Sequence, residues 1–298
     1  MPAWGEVQQE INHLGSNGDS FPLDTVRRKY LAALSEKTGR TSIVYYSGWL
    51  SSQAVTAAST INDDDKMGFM QAVHRVDKDA GLDLILHTPG GSVTAAESIV
   101  DYLLKVFKGD IRVIIPQIAM SAGTMIACSA KEIIMGKQSN LGPIDPQVNG
   151  LPAYGVIAEF DRAVKDSAQN AGAAQMWQVI IGKYHPTFLS NCEHAIALSV
   201  EIVKKWLVQG MFAGDPLAVE KAERIVNELS SQDNNRDHGR HIHAERCAEI
   251  GLKITDLEHD QELQDLVLTV HHACGYSLSG GNIAKLIENH MGAAYIRR

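Results

Sequence analysis

The chain lacks the features that would assign it to several large classes. Its four cysteines, Cys128, Cys192, Cys247 and Cys274, stand far apart with no CxxC pair among them. Neither a disulfide framework nor a thiolate metal site is expected, and reduced thiols are. Positive charge is scarce. The net charge is -8, which argues against a general nucleic-acid or membrane-surface binder but leaves room for a local basic patch. No run of about 18 uninterrupted apolar residues occurs, so no membrane span is expected. The opening residues Met1-Pro2-Ala3-Trp4-Gly5-Glu6 lack the basic-then-apolar layout of a signal peptide, and a cytoplasmic location is the expectation. No internal repeat and no low-complexity run is present.

What remains is a globular composition, 45% hydrophobic and 21% charged over 298 residues. That length buries a sizeable core and fits one large α/β domain with elaborations, or two small ones. Apolar, β-rich runs at Thr41–Tyr46, Leu82–His87, Ile111–Pro116 and Glu132–Met135 read as strands. Helical spacing runs over Pro22–Lys37, from Asn62-Asp63-Asp64-Asp65 to about Asp79, and over Val93–Phe107. Strand, helix, strand at this spacing predicts βαβ units and a mainly parallel sheet. From about Ala153 onward helical patterns dominate: 156–169, 188–209, 216–230, 243–250, 259–274 and 281–291. The expected organisation is a loosely held arm over 1–22, a catalytic domain over 23–255 with a helical insertion at about 153–209, and a C-terminal helical extension over 256–298.

One stretch carries the chemistry, Ile118-Ala119-Met120-Ser121-Ala122-Gly123-Thr124-Met125. A strand runs into it and a helix-compatible segment of small residues follows. Ser121 therefore sits at a sharp strand-to-helix turn, with its hydroxyl uncovered and the Ala122 N–H next to it. Close packing alone would also select small residues there. A serine needs a base and an oxyanion hole. Gly90-Gly91-Ser92, at the carboxyl end of an expected parallel strand, offers backbone N–H groups where ligands collect in open α/β sheets. A plain tight turn would carry the same glycines.

Three motifs taken together carry a resemblance. Leu84-Ile85-Leu86-His87-Thr88-Pro89-Gly90-Gly91, then Ala119-Met120-Ser121-Ala122-Gly123-Thr124, then Leu141-Gly142-Pro143-Ile144-Asp145-Pro146-Gln147 resemble the Clp-fold serine peptidases. Within them the chain is most similar to the serine dehydrogenase proteinase family, relatives of signal peptide peptidase A. The resemblance covers roughly residues 80–150, with a weaker echo at Glu245–Leu252. It implies a ClpP/crotonase-like fold of repeated βαβ units, Ser121 as acyl-forming nucleophile, and the Gly91 and Ala122 N–H groups as oxyanion hole. It also implies substrate contacts at Gly90 and Ser92, an extended peptide added beside that strand end, and a ring-shaped homo-oligomer. No cofactor is implied, and a membrane or ATPase partner protein stays open.

The base departs from the pattern. Clp proteases carry a histidine on the loop that here reads Gly142-Pro143-Ile144-Asp145-Pro146, which has none. Signal peptide peptidase relatives use a lysine in a Glu-Lys-Ala setting, where this chain reads Glu193-His194-Ala195. Ser190-Asn191-Cys192-Glu193 has capping-box spacing, which predicts His194 in a helix's first turn, where the helix end favours the neutral imidazole a base must be. Lys165 and Lys183 are the alternatives, and Asp145 either orients a histidine or serves its turn.

His87 reads as a buried, satisfied histidine, His271-His272 as helix surface, and Cys128 as core filler. His238, His241 and His243, with Asp237 or Glu245, could approach a metal, but no tight ligand pair is evident and no metal is expected. The expected function is ATP-independent peptide hydrolysis through an acyl-enzyme on Ser121. Its rivals are a crotonase-like acyl-CoA enzyme and an inactive peptide-binding scaffold.

Overall fold

The computed structural model describes residues 4–51, 56–231, 239–279 and 283–298. Strands β1 (Thr41–Ser47), β2 (Leu82–His87), β3 (Ile111–Ile115), β5 (Glu132–Met135) and β10 (Ile254–Asp256) lie parallel in one sheet. Two further strands, β11 (Lys285–Asn289) and β12 (Ala294–Arg297), extend it antiparallel beyond β1. The order is β10-β5-β3-β2-β1-β11-β12.

Both faces of this sheet are covered, which is why its strands read as nearly unbroken apolar runs. Ile43, Tyr45, Leu84, Val113 and Ile133 face one core. Helices α3 (Asp64–Ala72), α4 (Val93–Val106), α5 (Ala122–Cys128), α9 (Ala218–Ser230) and α10 (Ala244–Ile250) pack there, with the second half of α8 (Phe188–Gln209). Val44, Ile85, Ile114 and Ile134 face the other core, against α2 (Pro22–Thr38) and α11 (Gln261–Ser279). Helices α6 (Ala153–Gln169) and α7 (Ala171–Ile181) follow a hairpin of β7 (Gln147–Val148) and β8 (Leu151–Pro152). Most of 153–209 is thus helical. Ala153 and Val156 of α6 share a separate apolar cluster with Phe188 and Cys192 of α8.

Several expectations give way. The N-terminal arm holds a helix, α1 (Trp4–Ser16), whose Val7 and Ile11 pack on Val26 and Ala273. The Gly/Ser-rich run that suggested looseness begins only at its end. The helix expected to reach Asp79 stops at Ala72, and Arg75 adopts a positive φ of 65°. Within the helix expected over 281–291, residues 285–289 form β11, because every one of them is buried between β1 and β12. All four cysteines are buried as free thiols. Among the described residues no helix is long and apolar enough to cross a membrane.

His271 and His272 are not surface residues. Both are half-buried, and His271 Nδ1 lies 2.9 Å from Tyr46 Oη. The Tyr46 ring stacks on His87, 4.0 Å between centroids. His87 is buried and paired at both ring nitrogens, at 3.2 Å to the Ser47 carbonyl and 3.0 Å to Gln117 Oε1. Burial pushes the His87 imidazole down to about 4 and His271 to about 3. The unfolded chain takes up these protons near pH 6.5, so stability falls as pH drops below about 6.5 and levels off below the folded values. His87 alone removes about 2 kcal/mol at pH 5, and His271 acts in the same direction. Urea unfolding at pH 7 and pH 5 checks this, and equal stabilities would rule it out.

Candidate active site

The serine turn is built as a strand-to-helix elbow. Strand β4 (Ile118–Ala119) leads through Met120 to Ser121, and α5 starts at Ala122. Ser121 has φ 51° and ψ -116°, a conformation a non-glycine residue holds only where its surroundings impose it. Gly123 N donates to the Met120 carbonyl at 2.7 Å, and Met125 N to the Ser121 carbonyl at 3.1 Å. Thr124 Oγ1 lies 3.1 Å from the Ala119 carbonyl and 2.9 Å from that of Gly142, tying the elbow to the next loop. A Cβ on Gly123 would come within 2.5 Å of the Thr88 methyl, so the small residue answers a packing demand. Ser121 is half-buried, and its Oγ has no hydrogen bond among the described residues.

The glycine corner meets the elbow at contact distance. Gly90 has φ 95°, and a Cβ there would stand 2.8 Å from Ser121 Cβ and 2.7 Å from the Met120 carbonyl. Gly91 forms a parallel bridge with Ile61. In it Ile61 N donates to the Gly90 carbonyl at 2.8 Å, and Ser92 N to the Ile61 carbonyl at 2.9 Å. This pattern uses the groups on either side of Gly91 and turns its own N–H and C=O to the opposite edge. The Gly91 N–H has no acceptor among the described residues. The Ala122 N–H, first in α5, is unpaired in the same way. Among the described residues, two unpaired amides thus lie near one half-buried serine hydroxyl. Ser92 caps α4, its Oγ accepting from Ala95 N at 3.2 Å.

The residues expected as bases all stand at the surface. Helix α8 begins at Phe188 with Thr187 as its N-cap, not at Ser190. His194 is therefore in the second turn, and the helix-end argument for its neutrality falls away. It is exposed, on the half of α8 that packs with the insertion rather than with α5. Lys165, on α6, and Lys183, after α7, are exposed as well. Asp145 is half-buried, and its charge helps to raise the Tyr154 hydroxyl, after burial itself.

Another histidine comes level with the elbow in the topology. A small sheet joins β4, β6 (Asn140–Leu141) and β9 (Ile242–His243). Ala119 pairs with Leu141, and Leu141 with Ile242. One step on, Met120, Gly142 and His241 come level, because β9 runs antiparallel. Ser121 is the next residue. The polar–apolar–polar pattern His241-Ile242-His243 was the signal for this strand. His238 and Asp237 lie outside the described residues. Among the described residues no group of three His, Cys, Asp or Glu could hold a metal.

Residues 26–267 match a family described as ClpP-like SDH-type serine proteinase. Two uncharacterised proteins of Methanocaldococcus jannaschii are similar in sequence. One is 35% identical over 150 residues, covering 50% of this chain and 52% of that protein. The other is 42% identical over 103 residues, covering 35% of this chain and 34% of that protein. The chain thus spans about half the length of the first of these relatives and about a third of the second.

Proposed function

Since the chain belongs to the ClpP-like SDH-type serine proteinases, we propose that it hydrolyses peptide bonds with Ser121 as nucleophile and the Gly91 and Ala122 N–H groups as oxyanion hole. The observation that carries this reading is a pair of amides, unpaired among the described residues, beside a serine held at positive φ. Ser121 Oγ attacks the scissile carbonyl carbon, and its proton passes to a histidine. The carbonyl oxygen becomes an oxyanion, which the two amides stabilise. Collapse breaks the C–N bond, and the leaving amine takes the proton from the imidazolium. Water then releases the acyl group with the same histidine as base.

Two histidines compete for that role. The family's lysine position pointed to His194, and the register of the small sheet favours His241. Ile61 already occupies one edge of the Gly90–Ser92 segment. An extended substrate therefore pairs along the other edge, where the Gly91 N–H and C=O are directed.

The direct test is an active-site-directed fluorophosphonate. Labelling mapped to Ser121 in the wild type and absent in Ser121→Ala is the expected result. An unlabelled wild type that binds acyl-CoA or peptide tightly would replace this reading with an acyl-CoA enzyme or an inactive scaffold.

A further inference from the structure

The glycine corner is not held by β2 alone. Residues 59–62 lie along it, and Ile61 is bonded to both Gly90 and Ser92. This short strap has no sheet of its own. A buried polar cluster holds it from below. Lys285 Nζ, on β11, donates to the Thr60 carbonyl at 2.6 Å and pairs with Asp65 Oδ1 at 2.5 Å. Asp65 Oδ2 accepts from Asn62 N at 3.0 Å and from Tyr45 Oη at 2.9 Å. Ser47 Oγ donates to the Ser59 carbonyl at 2.6 Å. These bonds land on residues 59, 60 and 62 and bracket Ile61.

Lys285 and Asp65 are each 1% exposed at the side chain. Stability alone explains such a pair poorly, because burying two charges costs about what their attraction returns, and apolar replacements often do as well. Here the charges reach specific backbone atoms that an apolar pair could not hold. Asp65, in the first turn of α3, is turned into the core, toward a lysine on the hairpin of β11 and β12.

We infer that Lys285 and Asp65 are positioning residues for the oxyanion hole: by fixing the strap on both sides of Ile61, they set the direction of the Gly91 N–H. The inference rests on the serine peptidase reading above. Neither residue meets substrate.

The test uses Lys285→Met with Asp65→Asn in one chain, which removes both charges and leaves no buried ion alone. Fluorophosphonate titration counts competent sites, turnover of a peptide ester is expressed per competent site, and hydrogen exchange follows amides 59–62 and 90–92. The expected result is a folded protein whose KM stays within about 2-fold while kcat per site falls about 10-fold or more, in line with a misaimed oxyanion donor. Exchange at 59–62 and at Gly91 should quicken. A purely structural role would lower the number of competent sites and leave turnover per site unchanged, which would overturn the inference. Unchanged exchange at 90–92 would also overturn it. If the wild type itself fails to label at Ser121, the peptidase reading falls and takes the oxyanion role with it. A labelled wild type with unchanged kcat per site in the variant removes the positioning role only.

Discussion

Alanine at His241 will slow acylation of Ser121 by about 10³-fold, the loss typical of a removed general base. Alanine at His194 will change it less than about 2-fold. The register of β4, β6 and β9 is the reason. Leu141 pairs with Ala119 on one side and Ile242 on the other, so the chain entering β9 comes level with the chain leaving β4, with β6 between them. His194 is an exposed residue on the half of α8 that packs with the insertion, seven residues into a helix whose N-cap is Thr187. The measurement is the pre-steady-state burst on an activated ester, with added imidazole as a second readout. Imidazole should partly restore His241→Ala, since the missing group is a base in an exposed setting. A larger loss at His194, or restoration only there, would return the base to α8.

Gly91→Ala will lower kcat by about 10²- to 10³-fold, the price of one lost oxyanion donor. Gly91 has φ 151°, and a Cβ there would overlap the Ile61 carbonyl and stand 2.5 Å from Ile61 N. Those atoms are strap backbone, already bonded to Gly90 and Ser92, and cannot step aside as a side-chain tip would. Either the strap leaves or the Gly91 peptide rotates, and in both cases its N–H loses its aim. KM should move little, because the loss falls on the transition state. Gly90→Ala should be comparably severe for a different reason, since its Cβ would meet Ser121 Cβ at 2.8 Å. A Gly91→Ala enzyme with kcat within about 3-fold of wild type would remove Gly91 from the hole.

The parts of this site that were legible in the sequence are those made by neighbours in the chain. The strand before Ser121, the small residues after it and the Gly90-Gly91 break each sit within a few residues of what they serve. The same holds for β1, β2, β3 and β5, whose two-sided burial shows as unbroken apolar runs. What escaped depends on distant partners. Lys285-Leu286-Ile287 looked like part of an amphipathic helix, because nothing local reveals a carboxylate 220 positions earlier waiting in the core. His271 and His272 looked like surface, because the aromatic rings that cover them come from β1, β2 and α1. The helical pattern over 188–209 matches α8, but a good capping pattern at Ser190 competes with the true cap at Thr187, and that slip of three residues had put His194 in the first turn. His241 was visible but weighed only as part of a metal group that was set aside, since its place level with Gly142 is a fact of topology, not of spacing.

The position of Lys285 in the chain also orders the events of synthesis. The nucleophile elbow and the glycine corner leave the ribosome early, and the lysine that holds their strap follows more than a hundred and fifty residues later. At about 5–20 residues per second, that interval is on the order of ten seconds or more. On the peptidase reading proposed above, a nascent chain would carry Ser121 throughout that interval without the strap that aims the Gly91 N–H, and full acyl-transfer activity would wait for β11.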